Sequence, residues 1–262
     1  MAGDLRALVE STKLGAEDIT ARTRHIYDAT LRESLNLDSG NFTRIHTSDV
    51  KHLFDEYDTR FFEAQIGTSL GDTALHFRLS RRMTKAGGKT ARYTPRNPAA
   101  RPVYEISVST TLLFQCFAGD DHRPIAVGGI ICRDRLEALQ RVTEHEIVHL
   151  IELLLWATSS CSETRFHSVA RRFFGHTAHK HELITPGERA FVRFGIKPGD
   201  RVRFRFHGAQ RTGVVNRITD RATVLVEDRE GTLFSDGKRY VKFYVPVALL
   251  EAVEADRSKE NE

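Results

Sequence analysis

The sequence predicts a mixed α+β fold, a helix-and-sheet domain followed by a small all-β barrel, and three observations predict it. Apolar residues recur at three- and four-residue steps up to Phe62 and again from Leu136 to Phe174, the period of helices packed on one face. Between these stretches Leu75, Phe77 and Leu79, and later Tyr104, Ile106 and Val108, alternate with polar neighbours, the period of strands. Beyond Phe191, short alternating runs separated by turn residues replace the helical pattern. The expected organisation is a helical arm at 1–40, a main domain at 41–185, a barrel at 186–254 and a charged tail at 255–262.

In chain order, Leu5, Leu8, Val9, Ile19, Ile26 and Leu31 predict helices over 4–36, ended by Asp38-Ser39-Gly40-Asn41. Ser48 is the expected cap of a helix reaching Phe62. Two strands follow, joined by a basic hairpin or surface loop from Met83 to Arg101. It carries Lys85, Lys89, Arg92 and Arg96 and no acidic residue, with Gly87, Gly88, Pro95 and Pro98 as turn formers. That charge fits either a solvated surface or a nucleic-acid contact. Thr110–Phe117 reads as the start of a helix or a short apolar run, and the loop through Asp120 leads to a short strand or buried turn around Gly128-Gly129. The longest helix is expected over 133–156. After a polar turn, Ser162 is the expected cap of a helix whose inward stripe is Phe166, Val169, Ala170, Phe173 and Phe174, with Gly175 at its end. Pro186-Gly187 is expected to close the domain. Four or five strands then suggest a barrel of the SH3-like kind, one of them placing Arg201, Arg203 and Arg205 on a single face.

Composition narrows the classes. At 262 residues, 40% hydrophobic and 28% charged, the chain has material for a globular core. Its net charge of +4 allows an acidic partner without demanding one. Cys116, Cys132 and Cys161 are odd in number and form no CxxC pair, which argues against a disulfide framework and fits a cytoplasmic protein. No apolar run has the length of a membrane span, and charges in the first fourteen residues leave no signal-peptide core.

The chemistry concentrates at His145-Glu146-Ile147-Val148-His149. Histidines four apart lie on one helix face and reach a single metal, and the intervening glutamate sits beside the water that metal holds. The flanks Thr143, Ile147, Val148, Leu150 and Ile151 are uncharged, as a buried zinc-peptidase helix requires. The expected chemistry is zinc-assisted amide hydrolysis with Glu146 as general base. A catalytic zinc needs a third protein ligand. On the residues alone the candidates are His167, His176, His179, His181, Cys161 and Glu163, while Glu152 lies too near His149 on the same helix to complete the set.

The order of these features resembles the SprT-like zinc metalloproteases over roughly 45–185: a helix ending in Phe61-Phe62, strands leading through Ser107 and Ser109, HEIVH, and a helix with an early aromatic and a terminal glycine. The resemblance implies a zincin-like fold and proteolysis of nucleic-acid-associated proteins. It places the family's third histidine at Ser162, beside Cys161, which puts Cys161 first among the candidates, His176 second and His167 third, and the family's common zinc ribbon is missing. The barrel, through Arg201, Arg203 and Arg205, is the candidate replacement for DNA contact. His176 and His181 are expected to serve substrate or support the metal ligands. The alternative is a non-catalytic, nucleic-acid-associated or regulatory protein that retains a zinc-stabilised protease fold.

Overall fold

The computed structural model describes residues 2–97, 101–119 and 121–253; Pro98, Asp120 and the tail expected at 255–262 lie outside them. The fold is mixed α+β and divides into two compact units, the first ending at Leu183 and the second beginning at Ile184. Among the described residues no helix is long and apolar enough to cross a membrane.

The first unit opens with α1 (Ala2–Ser11), α2 (Ala16–Glu33), α3 (Thr47–Phe62) and α4 (Gln65–Leu70). Leu5, Val9, Ile19 and Ile26 are buried, so α1 and α2 belong to the core of this unit. The cap of α3 is His46 and not Ser48. The Asp49 carboxylate reaches back to accept the His46 backbone N–H at 2.7 Å, which closes a capping box earlier than expected. Val50, Leu53, Phe54, Tyr57, Phe61 and Phe62 form its buried face.

A three-stranded sheet follows, built from β1 (Leu75–Ser80), β2 (Gly88–Tyr93) and β3 (Val103–Ser109) in the order β1-β3-β2. β1 runs parallel to β3, and β2 pairs antiparallel to it with Gly88 opposite Val108 and Tyr93 opposite Val103. The basic stretch expected to be a hairpin or a surface loop contains one edge strand, paired with β3. β2 escapes the alternation pattern because it is an edge strand with no fully buried residue, so it carries no apolar alternation. Next come α5 (Thr110–Gln115), capped by Ser109 Oγ, and a hairpin of β4 (Ile125–Val127) and β5 (Ile130–Cys132) turning on Gly128-Gly129.

The long helix α6 (Arg135–Trp156) crosses the unit. Asp134 caps it by accepting the Glu137 N–H at 2.9 Å. The buried Arg135 guanidinium ties its first turn to the carbonyls of Leu113, Asn41, Phe42 and Cys116. Its buried residues wrap most of the circumference, as an internal helix requires. α7 (Thr164–Phe174) begins with Glu163 at the cap. Ser162, the expected cap, instead shares a 2.8 Å hydrogen bond with Ser160. The stripe Phe166, Val169, Ala170, Phe173 and Phe174 is buried, and Gly175 ends the helix in the left-handed conformation.

In the second unit Pro186-Gly187 opens α8 (Pro186–Phe194) instead of closing a domain. Thr185 and Glu188 form a capping box, and proline at the first turn loses no hydrogen bond. β6 (Arg201–Phe206), β7 (Ala209–Ile218), β8 (Ala222–Leu233), β9 (Arg239–Val245) and β10 (Glu251–Ala252) form one antiparallel sheet in the order β10-β6-β7-β8-β9. Val202, Phe204, Val215, Ile218, Val224 and Val245 are among its core residues. The alternation on β6 leaves Arg201, Arg203 and Arg205 exposed together on the opposite face.

Candidate metal centre

His145 and His149 lie one turn apart on α6, and their Nε2 atoms approach to 3.1 Å. The Phe166 ring packs against both imidazoles, with centroid separations of 4.7 and 4.6 Å, and fixes their orientation. The turn between α6 and α7 brings Cys161 to the same point, so that one ligand atom from each of the three residues lies within 4.8 Å of the others. A tetrahedron with bonds of roughly 2.0–2.3 Å has edges of roughly 3.3–3.8 Å, so about an ångström of closure completes the set. Burial pushes the His145 pKa down to about 2, with neighbouring His149 adding to the effect, and burial also lowers that of His149. In both cases burial favours the neutral ring, the form that donates a lone pair to a metal. Two imidazoles and a thiol are a donor set suited to zinc.

Behind His149 stands a polar relay. Its Nδ1 lies 2.6 Å from Ser159 Oγ, which donates to Glu152 Oε2 at 2.6 Å, and Arg165 Nε binds the other Glu152 oxygen at 2.7 Å. Arg165 in turn lies over the Trp156 ring, 4.5 Å from its centroid. Glu152, set aside as a ligand, reaches the His149 ring through the Ser159 hydroxyl, the kind of outer contact that orients metal-binding imidazoles. The one signal for it in the sequence is an acidic residue within the apolar half of α6, where it is fully buried.

Glu146 is 2% exposed, and burial raises its pKa to about 8. It faces β2: Thr90 Oγ1 donates to its Oε2 at 2.8 Å and to its backbone carbonyl at 3.0 Å. A Cβ at Gly88 would fall 2.5 Å from Glu146 Oε1, so the strand approaches this closely only through glycine. Sequence reasoning misses Gly88 and Thr90 as parts of the site, because it misses their strand.

A cleft of about 900 Å³ runs along α6, with His145, Glu146, His149 and Cys161 in its wall. The later histidines separate. His181 lines the cleft, and burial holds its pKa below the ordinary value. His176 does not line it: the ring is 3% exposed and binds Glu144 Oε2 at 2.7 Å. Glu144, fully buried, also accepts from Tyr57 at 2.7 Å and from Arg141 at 2.8 and 3.0 Å. Burial alone would raise its pKa, but Arg141, His176 and Tyr57 hold it below the usual range. A Cβ at Gly128 would meet His176 Nδ1 at 2.6 Å, so the β4–β5 turn seats this ring. The expectation that His176 serves the site is therefore replaced by a place in a buried network. His167 packs edge-on against His179 and is absent from the cleft wall.

Comparison of the chain with protein-family models, with curated proteins and with solved structures yields no match.

Proposed function

We propose that the chain is a zinc-dependent peptidase of zincin type, resembling the SprT-like proteases, that hydrolyses peptide bonds of protein substrates. The observation that carries this reading is the convergence of His145, His149 and Cys161 beside a buried carboxylate that faces an open cleft. Zinc bound there would supply Lewis-acid polarisation of a scissile carbonyl and acidify a water molecule.

The chain's own residues do the rest. Glu146 takes a proton from the attacking water and returns it to the leaving amine. Its pKa, raised by burial, comes down beside a cation and leaves it basic near neutral pH. Thr90 holds the carboxylate in place through its hydroxyl. β2 pairs only with β3 among the described strands, so its outer edge carries no strand and, apart from the Thr90 N–H held by Glu146, offers backbone groups to an extended peptide by strand addition. His181 is placed to contact a bound substrate.

One observation favours the second reading, a zinc-stabilised protein without catalysis. A thiolate in place of a third imidazole leaves less positive charge at the metal and a less acidic water. Glu146 weighs against it, because a structural site gains nothing from a buried carboxylate directed at the cleft. The two readings part on cleavage of unfolded protein by the zinc-loaded chain and by Glu146→Gln. Zinc bound by both with no cleavage by either selects the second.

The second unit is proposed to recruit the peptidase to nucleic acid through Arg201, Arg203 and Arg205. They are exposed on one face of β6 and in no ion pair among the described residues. Changing all three to alanine is expected to weaken DNA retention and to reduce the slope of log affinity against log salt by up to about three. Unchanged retention acquits the second unit.

A further inference from the structure

The charge of the cleft is one-sided. Glu146 is the only carboxylate in its wall among the described residues, and it is buried. Lys85, Lys89, Arg92 and Lys180, also in that wall, are exposed. None of the four has an ion-pair partner among the described residues. Three of them come from the basic stretch whose sequence fits a solvated surface and a nucleic-acid contact equally. The structure puts that stretch along the reaction centre.

Position relative to Glu146 gives the charges a direction. Gly88 and Thr90 touch the Glu146 carboxylate. Lys85 precedes this pair in the chain. Arg92 follows it, about 7 Å further along the strand at two residues of rise. The segment carrying Lys180 is tied to the same end as Lys85, since the His181 ring lies 3.5 Å from where a Gly87 Cβ would stand. Cations therefore flank the catalytic carboxylate on both sides.

We infer that the cleft selects acidic, extended peptide segments, with Asp or Glu on both sides of the bond to be cut; this rests on the peptidase reading above. Opposite charges across a binding groove raise affinity and encounter rate, and like charges exclude the wrong partner. A nucleic acid is the other polyanion with the right sign. Two features favour the peptide. The outer edge of β2 carries no strand among the described residues and, apart from the Thr90 N–H at Glu146, presents backbone N–H and C=O groups at strand spacing, which pair with a peptide backbone and not with phosphodiesters. In addition, no Phe, Tyr or Trp lines the cleft among the described residues, so bases find no stacking platform.

The test uses the 262-residue chain with Glu146→Gln, zinc-loaded, and measures binding of labelled short peptides by fluorescence anisotropy. The peptides are rich in Asp and Glu, in neutral polar residues, or in Lys, and a labelled single-stranded oligonucleotide is run beside them. The acidic peptide is expected to bind on the order of tenfold tighter than the neutral one at low salt, with the advantage shrinking as salt rises. Adding Lys89→Glu and Arg92→Glu should reverse the order of acidic and Lys-rich peptides. Lys85→Glu with Lys180→Glu is the second pair, should the first fail to fold. Equal binding of all peptides, or a preference for Lys-rich ones, overturns the inference. So does an oligonucleotide bound more tightly than the acidic peptide with the same dependence on Lys89 and Arg92. Cleavage by the wild type separates the two levels. If the acidic peptide binds but none is cut, the peptidase reading falls and the preference stands; if neutral and basic peptides are cut as readily as acidic ones, the preference falls and hydrolysis stands.

Discussion

Glu146→Gln is expected to lower peptide hydrolysis by on the order of a thousandfold while zinc content is unchanged. Glutamine has the shape of the glutamate and keeps an acceptor for Thr90 Oγ1, but it cannot carry a proton from water to the leaving amine. His145, His149 and Cys161 are untouched by the change. The same substitution has a stability signature in the metal-free protein. Burial raises the Glu146 pKa to about 8 from an ordinary value of 4.5. Between those two pH values the folded chain keeps a proton that the unfolded chain has lost, so stability falls as pH rises through the window. At pH 8 and above the glutamate costs a few kcal/mol, because each tenfold difference in proton affinity between the folded and unfolded chain is worth roughly 1.4 kcal/mol. Metal-free Glu146→Gln should therefore melt above the metal-free wild type at pH 8, with the gap closing toward pH 4.5. Activity that survives the substitution contradicts the proposed base, and a gap that does not change with pH contradicts its burial.

The second large effect lies outside the cleft. Glu144→Ala should destabilise the first unit by about 3–5 kcal/mol, because it removes the acceptor for the buried Tyr57 and His176 and leaves the partly buried Arg141 without its counter-charge. Glu144 and Glu146 are two residues apart on one helix and differ in kind. The first is tied on every side by Tyr57, Arg141 and His176; the second has Thr90 alone and faces the cleft. Denaturant unfolding monitored by circular dichroism checks the loss. A Glu144→Ala protein that unfolds at the wild-type midpoint denies the network its role.

These two glutamates also mark how far the sequence can be read. The mixed α+β class, the long helix through HEIVH, the α7 stripe and the alternation on β6 are legible, because each is a periodic burial pattern carried by consecutive residues. Cys161 is reachable by position, one residue from where the resemblance expects a histidine, and the structure brings it next to His145 and His149. β2 is not legible. Its residues are half-buried or exposed, its contact with Glu146 depends on a glycine and a threonine, and edge strands leave little apolar signature. Pro186-Gly187 misleads because the same pair suits a turn and the first turn of a helix; the deciding Thr185–Glu188 box straddles it. His176 and His181 are close in sequence and look alike there, yet one binds Glu144 in the core and the other lines the cleft. Which partner a histidine meets is a tertiary fact that spacing does not encode.

Metal content measured side by side on Cys161→Ala, His167→Ala and His176→Ala, after purification with zinc and dialysis, tests the centre itself. His145, His149 and Cys161 as the ligand set predicts that Cys161→Ala alone loses stoichiometric zinc. His167→Ala should keep it, and His176→Ala should keep it while folding less stably. Full zinc occupancy in Cys161→Ala, with loss in either histidine variant, would contradict the ligand set.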